Sequence, residues 1–248
     1  MGNRNTQMAH RFLHYFFLFM GTTQFFQWNC RGLMTNLDDI NDLLDKQGTV
    51  CACLQETYLN AQSPNPFRRF NIFRRDRVDT PRASGGVAIV TSTSLPTKAV
   101  PLVTDLEAVA VQICLNRTIT ICSLYLQPGV IVQQRELEML CDQLPTPFII
   151  MGDFNAHNPL WGSNKFDGRG KMIEELVLSR SICILNTGSP TYVHSATQSF
   201  SVLDLALCSP SLYQDIEWTV EQNPRGSDHF PVFLKYLPAV NCIGERPR

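Results

Sequence analysis

The chain has 248 residues, 44% of them hydrophobic and 17% charged, with a formal net charge of −1. That length suits one large sandwich or barrel able to bury a core without disulfide or metal staples, and the composition excludes an intrinsically disordered chain. A net charge near zero also excludes a global basic field, so any attraction to phosphate has to be local.

At the N-terminus, residues 11–20 (RFLHYFFLFM) are apolar but far short of the roughly 20 residues that a membrane-spanning helix needs. Behind Arg4 and Arg11 the run resembles a signal-peptide core, yet His14 interrupts it and no small-x-small cleavage site follows. Residues 1–6 (MGNRNT) fit the loose myristoylation pattern that many chains match by chance. Residues 1–21 are therefore expected to lie outside the fold, with secretory or membrane targeting as the minor reading.

Beyond them, apolar and β-branched runs predict strands at 22–28, 50–55, 86–91, 108–115, 118–126, 148–152, 182–185, 202–208 and 231–236. Helical periodicity marks 37–45, 132–143 and 170–179. The first helix has Asn36 as its expected N-cap and Gly48 near its end, with Leu37, Ile40, Leu43 and Leu44 on one face. Many strands with few helices argue for an α+β layered sandwich rather than a doubly wound parallel sheet. With no repeat or linker in sight, one domain over 22–237 and a tail at 238–248 is the economical organisation.

Local features sort quickly. The segment 68–82 holds Arg68, Arg69, Arg74, Arg75, Arg77 and Arg82 against only Asp76 and Asp79. Such density suits backbone phosphates, and equally a solvated loop and strand face. Of nine cysteines none forms a C-x-x-C pair, and Cys51, Cys53, Cys114, Cys122, Cys183 and Cys208 lie inside apolar runs. They read as small buried hydrophobes in a reducing compartment, nuclear or cytoplasmic. Ser84-Gly85-Gly86 reads as a strand entry, and His10, His14 and His194 lack zinc-site spacing. Trp161 is expected to anchor a core or loop.

The informative polar residues recur where apolar runs end. Asn29 follows 25–28, Glu56 follows 50–55, and Asp153 and Asn155 follow 148–152. Asp204 interrupts 202–207, and Asp228-His229 precedes the last strand. Each alone is an ordinary turn or cap residue. Together they suit a rigid scaffold projecting convergent groups from strand ends.

In order along the chain, residues 28–32 (WNCRG), 54–57 (LQET), 123–125 (SLY), 152–157 (GDFNAH), 201–204 (SVLD) and 227–229 (SDH) resemble the endonuclease/exonuclease/phosphatase superfamily. The resemblance spans roughly 22–236. Residues 152–162 (GDFNAHNPLWG), 185–191 (LNTGSPT) and 226–231 (GSDHFP) are similar to the endonucleases of arthropod Jockey-type non-LTR retrotransposons. It implies a deoxyribonuclease I-like α+β fold, a four-layered sandwich of two packed, mainly antiparallel sheets flanked by helices. It also implies divalent-metal-dependent nicking of DNA, with Mg2+ as cofactor and Mn2+ as an alternative. Only the endonuclease portion of such an element is expected here, with no polymerase activity, no obligate protein partner and no membrane.

The roles the resemblance implies are specific. Glu56 holds the metal with Asn29 nearby and Asp228 as a second carboxylate; Asp153 orients or deprotonates the attacking water. Asn155 holds the phosphate or the water, Tyr125 sets its hydroxyl on the phosphate, and His229, positioned by Asp204, donates to phosphate oxygens. Ser201 and Ser227 support by hydrogen bonding, His157 supports its loop or touches DNA, and Arg74 and Arg75 contact DNA. One departure stands out: Arg31 occupies a position where some members carry an acid, which favours one tightly held metal. The competing readings are a catalytically inactive nucleic-acid-binding remnant, or a same-fold abasic-site endonuclease, exonuclease or phosphatase.

Overall fold

The computed structural model describes residues 23–46, 48–78 and 84–238. The expected N-terminal extension lies outside these residues, as do Asp79, Arg82 and the tail from 239 onward. Two six-stranded sheets form the centre. The first takes β1 (Thr23–Asn29), β2 (Thr49–Gln55), β3 (Phe70–Arg75), β4 (Val87–Ser92), β13 (Ile216–Val220) and β14 (Val232–Tyr236), in the order β13-β14-β1-β2-β4-β3. The second takes β5 (Thr97–Val100), β6 (Glu107–Cys114), β7 (Thr118–Tyr125), β8 (Phe148–Asp153), β9 (Cys183–Ile184) and β12 (Asp204–Cys208), in the order β5-β6-β7-β8-β12-β9. A small hairpin, β10 (Tyr192–His194) with β11 (Ser199–Ser201), stands apart.

Each sheet is antiparallel except at its middle, where β1 runs parallel to β2 and β7 parallel to β8. A parallel pair needs a crossover, and each is bridged by a helix, α1 (Leu37–Asp45) in the first sheet and α2 (Gln134–Asp142) in the second. A third helix, α3 (Gly168–Ser179), follows β8. The expected antiparallel character thus holds for most of each sheet, and the central strands make both sheets mixed.

Three cores stack these layers. Ile40, Leu43 and Leu44 of α1 pack with Phe26, Trp28, Ala52 and Leu54 on the outer face of the first sheet. Between the sheets, Phe25, Cys51 and Cys53 meet Ile121, Ile149 and Met151. On the far side, Leu137 and Leu140 of α2 and Ile173 and Leu176 of α3 cover Ile150 and Leu205. The order is helix, sheet, sheet, helices. Full burial of one Leu, Ile or Phe stabilises by about 1.5–3 kcal/mol, so the layers hold without staples.

Local expectations fare unevenly. The first helix spans 37–45 as its periodicity indicates, but Asn36 makes no side-chain cap; its Nδ2 donates to the Cys30 carbonyl at 2.6 Å instead. The third helix starts earlier, at Gly168, because Asp167 accepts from Gly170 N–H and caps it. Cys51, Cys53, Cys122 and Cys208 are buried, whereas Cys114 is exposed at the end of β6 and Cys183 half-buried. Trp161 is fully buried, and Gly85-Gly86 lead into β4. Among the described residues no helix is long and apolar enough to cross a membrane.

Candidate active site

Strand direction explains why distant polar residues meet. Both parallel pairs end together: Asn29 lies opposite Gln55 and Tyr125 opposite Asp153. Their antiparallel neighbours begin at the same rim, since Asp204 opens β12 opposite Asp153 and His229 precedes β14, which runs against β1. Alternation then assigns the face. Phe25, Gln27 and Asn29 share one face of β1; Ile149, Met151 and Asp153 share one face of β8. Their apolar members belong to the core between the sheets. The site is the polar end of that core.

At its centre Asn29 bridges two carboxylates, donating from Nδ2 to Glu56 Oε1 at 2.9 Å and to Asp153 Oδ2 at 3.0 Å. Its Oδ1 faces the Arg31 backbone N–H at 3.3 Å, so in this orientation it joins acids rather than offering them an oxygen. Glu56 also accepts from Tyr125 Oη at 2.9 Å and from the Tyr58 hydroxyl. Asp153 Oδ1 accepts the Asn155 N–H at 3.0 Å, and Asn155 Nδ2 donates to the Leu126 carbonyl at 3.2 Å. Glu56 and Asn155 both sit at positive φ, 51° and 46°, a conformation that side chains other than glycine adopt mainly where surroundings impose it.

His229 is gripped from several sides. Its Nδ1 pairs with Asp204 Oδ2 at 2.8 Å, while Nε2 lies 3.7 Å from Asp153 Oδ2. Trp28 Nε1 donates to its carbonyl at 2.8 Å, and Ser227 Oγ accepts its N–H while donating to the Asn29 carbonyl. Tyr192 packs on the imidazole with ring centroids 4.8 Å apart. Asp204 is itself anchored: Gln27 Nε2 donates to its Oδ1 at 2.7 Å, and Thr191 Oγ1 accepts its N–H at 3.0 Å.

The charges follow from these contacts. Burial opposes a charge on His229, but the carboxylates of Asp204 and Asp153 outweigh it and raise the imidazole to about 9. Burial also raises the Asp153 carboxyl, to about 7, against the pull of the His229 charge. Glu56 behaves oppositely. Its partial burial is overcome by hydrogen bonds from Asn29, Tyr58 and Tyr125, which hold it below the usual carboxylate range. Tyr125 is pushed well up by burial and by Glu56, so it stays a neutral donor.

Asp153, Asp204 and His229 form a buried group whose ligand atoms lie within 4.8 Å of one another. Asp204 and His229 are already engaged with each other. Glu56 is ionised, half-buried and oxygen-only, the donor type a hard divalent cation takes when it keeps several waters. The donor set therefore fits such an ion.

Some expected members stand elsewhere or have other partners. Asp228 Oδ2 is ion-paired with Arg31 at 2.9 Å. Ser201 lies on the hairpin, its carbonyl accepting from Thr191 N–H. His157 Nδ1 meets Ser163 Oγ at 3.0 Å within the loop before α3. Arg74 donates to the Asn60 carbonyl and pairs with Asp76, and Arg75 donates to the Thr104 carbonyl at 2.6 Å. Both residues are half-buried, not fully solvated. Gln27, Tyr58 and Tyr192 contact the site without having been singled out, and Gln55 and Thr191 were quoted only as members of motifs, with no role given. Closeness in sequence is the one signal available: Gln27 lies two residues before Asn29, and Tyr58 two after Glu56.

Residues 119–233 match the family model described as endonuclease-reverse transcriptase. Over that segment the chain is similar to the endonuclease-reverse transcriptase family. The chain is 28% identical over 215 residues to the probable RNA-directed DNA polymerase from transposon X-element of Drosophila melanogaster, a match covering 84% of this chain. To the RNA-directed DNA polymerase from mobile element jockey of the same species it is 24% identical over 211 residues, covering 83% of the chain. It spans 23% of the length of each of these relatives. Its fold is similar to that of the endonuclease domain of TRAS1, a telomere-specific non-LTR retrotransposon, with a TM-score of 0.73 and 23% identity. That likeness covers 87% of this chain and 98% of the TRAS1 domain. The deoxyribonuclease I-like fold is thereby established, and the chain is a distant homologue of the jockey and X-element polymerases.

Proposed function

We propose that this chain is a divalent-metal-dependent endonuclease that nicks DNA, leaving a 3′-hydroxyl from which reverse transcription is primed. One observation carries the reading: a carboxylate held ionised, Glu56, is joined through Asn29 to Asp153, which with Asp204 flanks a buried imidazole raised to about 9. Phosphodiester hydrolysis needs that combination of stabilised positive charge, base and metal carboxylate.

The division of labour follows from protonation states. His229 is protonated at neutral pH; Asp204 holds its Nδ1, and Nε2 lies 3.7 Å from Asp153 Oδ2, beyond hydrogen-bond distance, which leaves Nε2–H to donate to a phosphate oxygen. Asp153, raised to about 7, is matched to take a proton from water near neutral pH. Asn155, fixed by Leu126 and Asp153, orients that water or the phosphate. Tyr125 orients the Glu56 carboxylate rather than touching phosphate directly. Glu56, with Asn29 beside it, would hold Mg2+ or Mn2+, which supplies charge neutralisation at the phosphoryl oxygens when bound. Asp228 engages Arg31 through Oδ2 alone, and its buried Oδ1 has no hydrogen-bond partner, so that oxygen would be the one to join it. Arg74 and Arg75 each give one Nη to a carbonyl and retain further N–H donors for phosphate, and His157 is better placed to support its loop.

Supercoiled plasmid incubated with the purified chain tests this. Relaxation in Mg2+ or Mn2+, its suppression by chelator, and extension of the nick by a polymerase without prior end repair are expected. A chain that leaves the plasmid intact with every divalent ion would be a binding module. Nicks that cannot be extended would remove the priming role.

A further inference from the structure

Arg169 stands on the first turn of α3, half-buried, and all five of its hydrogen bonds run to main-chain carbonyls. Nη1 is shared among Leu126, Phe154 and Asn155 at 3.1, 3.3 and 3.2 Å, and Nη2 reaches Gln127 and Val130 at 3.0 and 2.7 Å. The placement is unfavourable by itself. A cation at a helix N-terminus opposes the helix dipole, and desolvation lowers the guanidinium pKa. The carbonyls offset this, and they belong to two separate loops.

Those loops matter because of what precedes them. Residues 126–130 follow Tyr125, the last residue of β7, and residues 154–155 follow Asp153, the last residue of β8. The two are stitched further where Leu126 N–H donates to the Asp153 carbonyl at 2.9 Å and Asn155 Nδ2 donates to the Leu126 carbonyl. Leu126 O thus receives both Arg169 and Asn155. Asn155 itself is held at a φ of 46°, which needs outside restraint.

We propose that Arg169 is a positioning residue for the hydrolysis, a planar fork that locks the loops following Tyr125 and Asp153, the second of which carries Asn155, into one register. The proposal rests on the endonuclease reading above. Lysine cannot replace it, because one ammonium lacks the flat fork that spans two loops. Nor is Arg169 needed to hold α3, which packs through Ile173, Leu176 and Val177.

The test compares Arg169→Lys and Arg169→Ala with the wild-type chain. Each should keep its circular dichroism and its affinity for uncut DNA in chelator. The nicking kcat should fall about tenfold to hundredfold with KM little changed, the scale set by misplacing groups by about 1 Å. Added guanidinium should restore part of the kcat of Arg169→Ala, and methylammonium should not. A folded Arg169→Ala with kcat within about twofold of wild type, a loss fully matched by weaker DNA binding, absence of guanidinium rescue, or unfolding of both variants would each overturn the proposal. If the wild-type chain nicks nothing, the functional reading fails instead. Amide exchange then decides the clamp: Leu126 and Phe154 N–H, bonded to the Asp153 and Leu203 carbonyls, should exchange faster in Arg169→Ala, and unchanged rates would refute it.

Discussion

His229 lies between Asp204 on one nitrogen and Asp153 near the other, sealed by Tyr192 and Trp28. Its folded pKa of about 9 exceeds the unfolded value of about 6.5. Its contribution to stability is therefore complete below about pH 6.5 and lost as pH rises through about 9. In the metal-free protein, NMR of the ring should give a midpoint near 9, and Asp204→Asn should lower it; a wild-type midpoint near 6.5 would contradict the pairing. Beneath the imidazole runs a buried polar chain. Gln27 donates to both Asp204 and Gln55, and Gln55 donates to Ser123 on the opposite sheet. Gln27→Leu leaves two buried acceptors short of a donor, so chemical denaturation should show a loss of about 1–3 kcal/mol. Equal stability would mean that the chain of amides is dispensable. Gln55 falls within the 54–57 motif, but nothing in the sequence gives it or Gln27 a buried role, because a polar residue in an alternating strand ordinarily faces solvent. Asp153, Asp204 and His229 were legible because each interrupts or bounds an apolar run.

Among the elements, the β7–β8 pair sets the site's geometry, and Gly152 lets the strands close. A Cβ there would stand 1.8 Å from the Leu124 carbonyl oxygen, inside the ladder where Leu124 faces Gly152. Backbone cannot yield as a flexible side chain does. Gly152→Ala should therefore cost more than the about 1–3 kcal/mol typical of overpacking and displace Asp153, read as a lowered melting temperature with reduced nicking. A wild-type melting temperature would contradict the close approach. Long apolar strands such as β2, β7 and β8 are evident from composition alone. The strand β3 was not separated from its loop, since Arg74 and Arg75 disguise a ladder with β4 that is half-buried by tertiary contacts. The strands β5, β10 and β11 span only three or four residues, too short for periodicity, and the hairpin is specified by partners far away in sequence. Likewise Thr191, whose hydroxyl accepts the Leu203 and Asp204 N–H groups, gains its role only once β10 is docked.

For the molecule as a whole, two mixed sheets packed face to face give an apolar core that turns polar at one rim. The layered α+β architecture follows from counting strands and helices, while the four-layer order and the parallel centre of each sheet depend on crossovers that no local pattern displays. With a net charge of −1 the molecule has little long-range pull on DNA, and the proposed nicking rests on the rim alone. That is tested most directly by plasmid nicking in Mg2+ with the wild-type chain and with Glu56→Gln, Asp153→Asn and His229→Asn side by side. Wild-type nicking and at least about a hundredfold loss in each variant are expected, with melting temperatures showing that all remain folded. Near-wild-type rates in the three folded variants would contradict it.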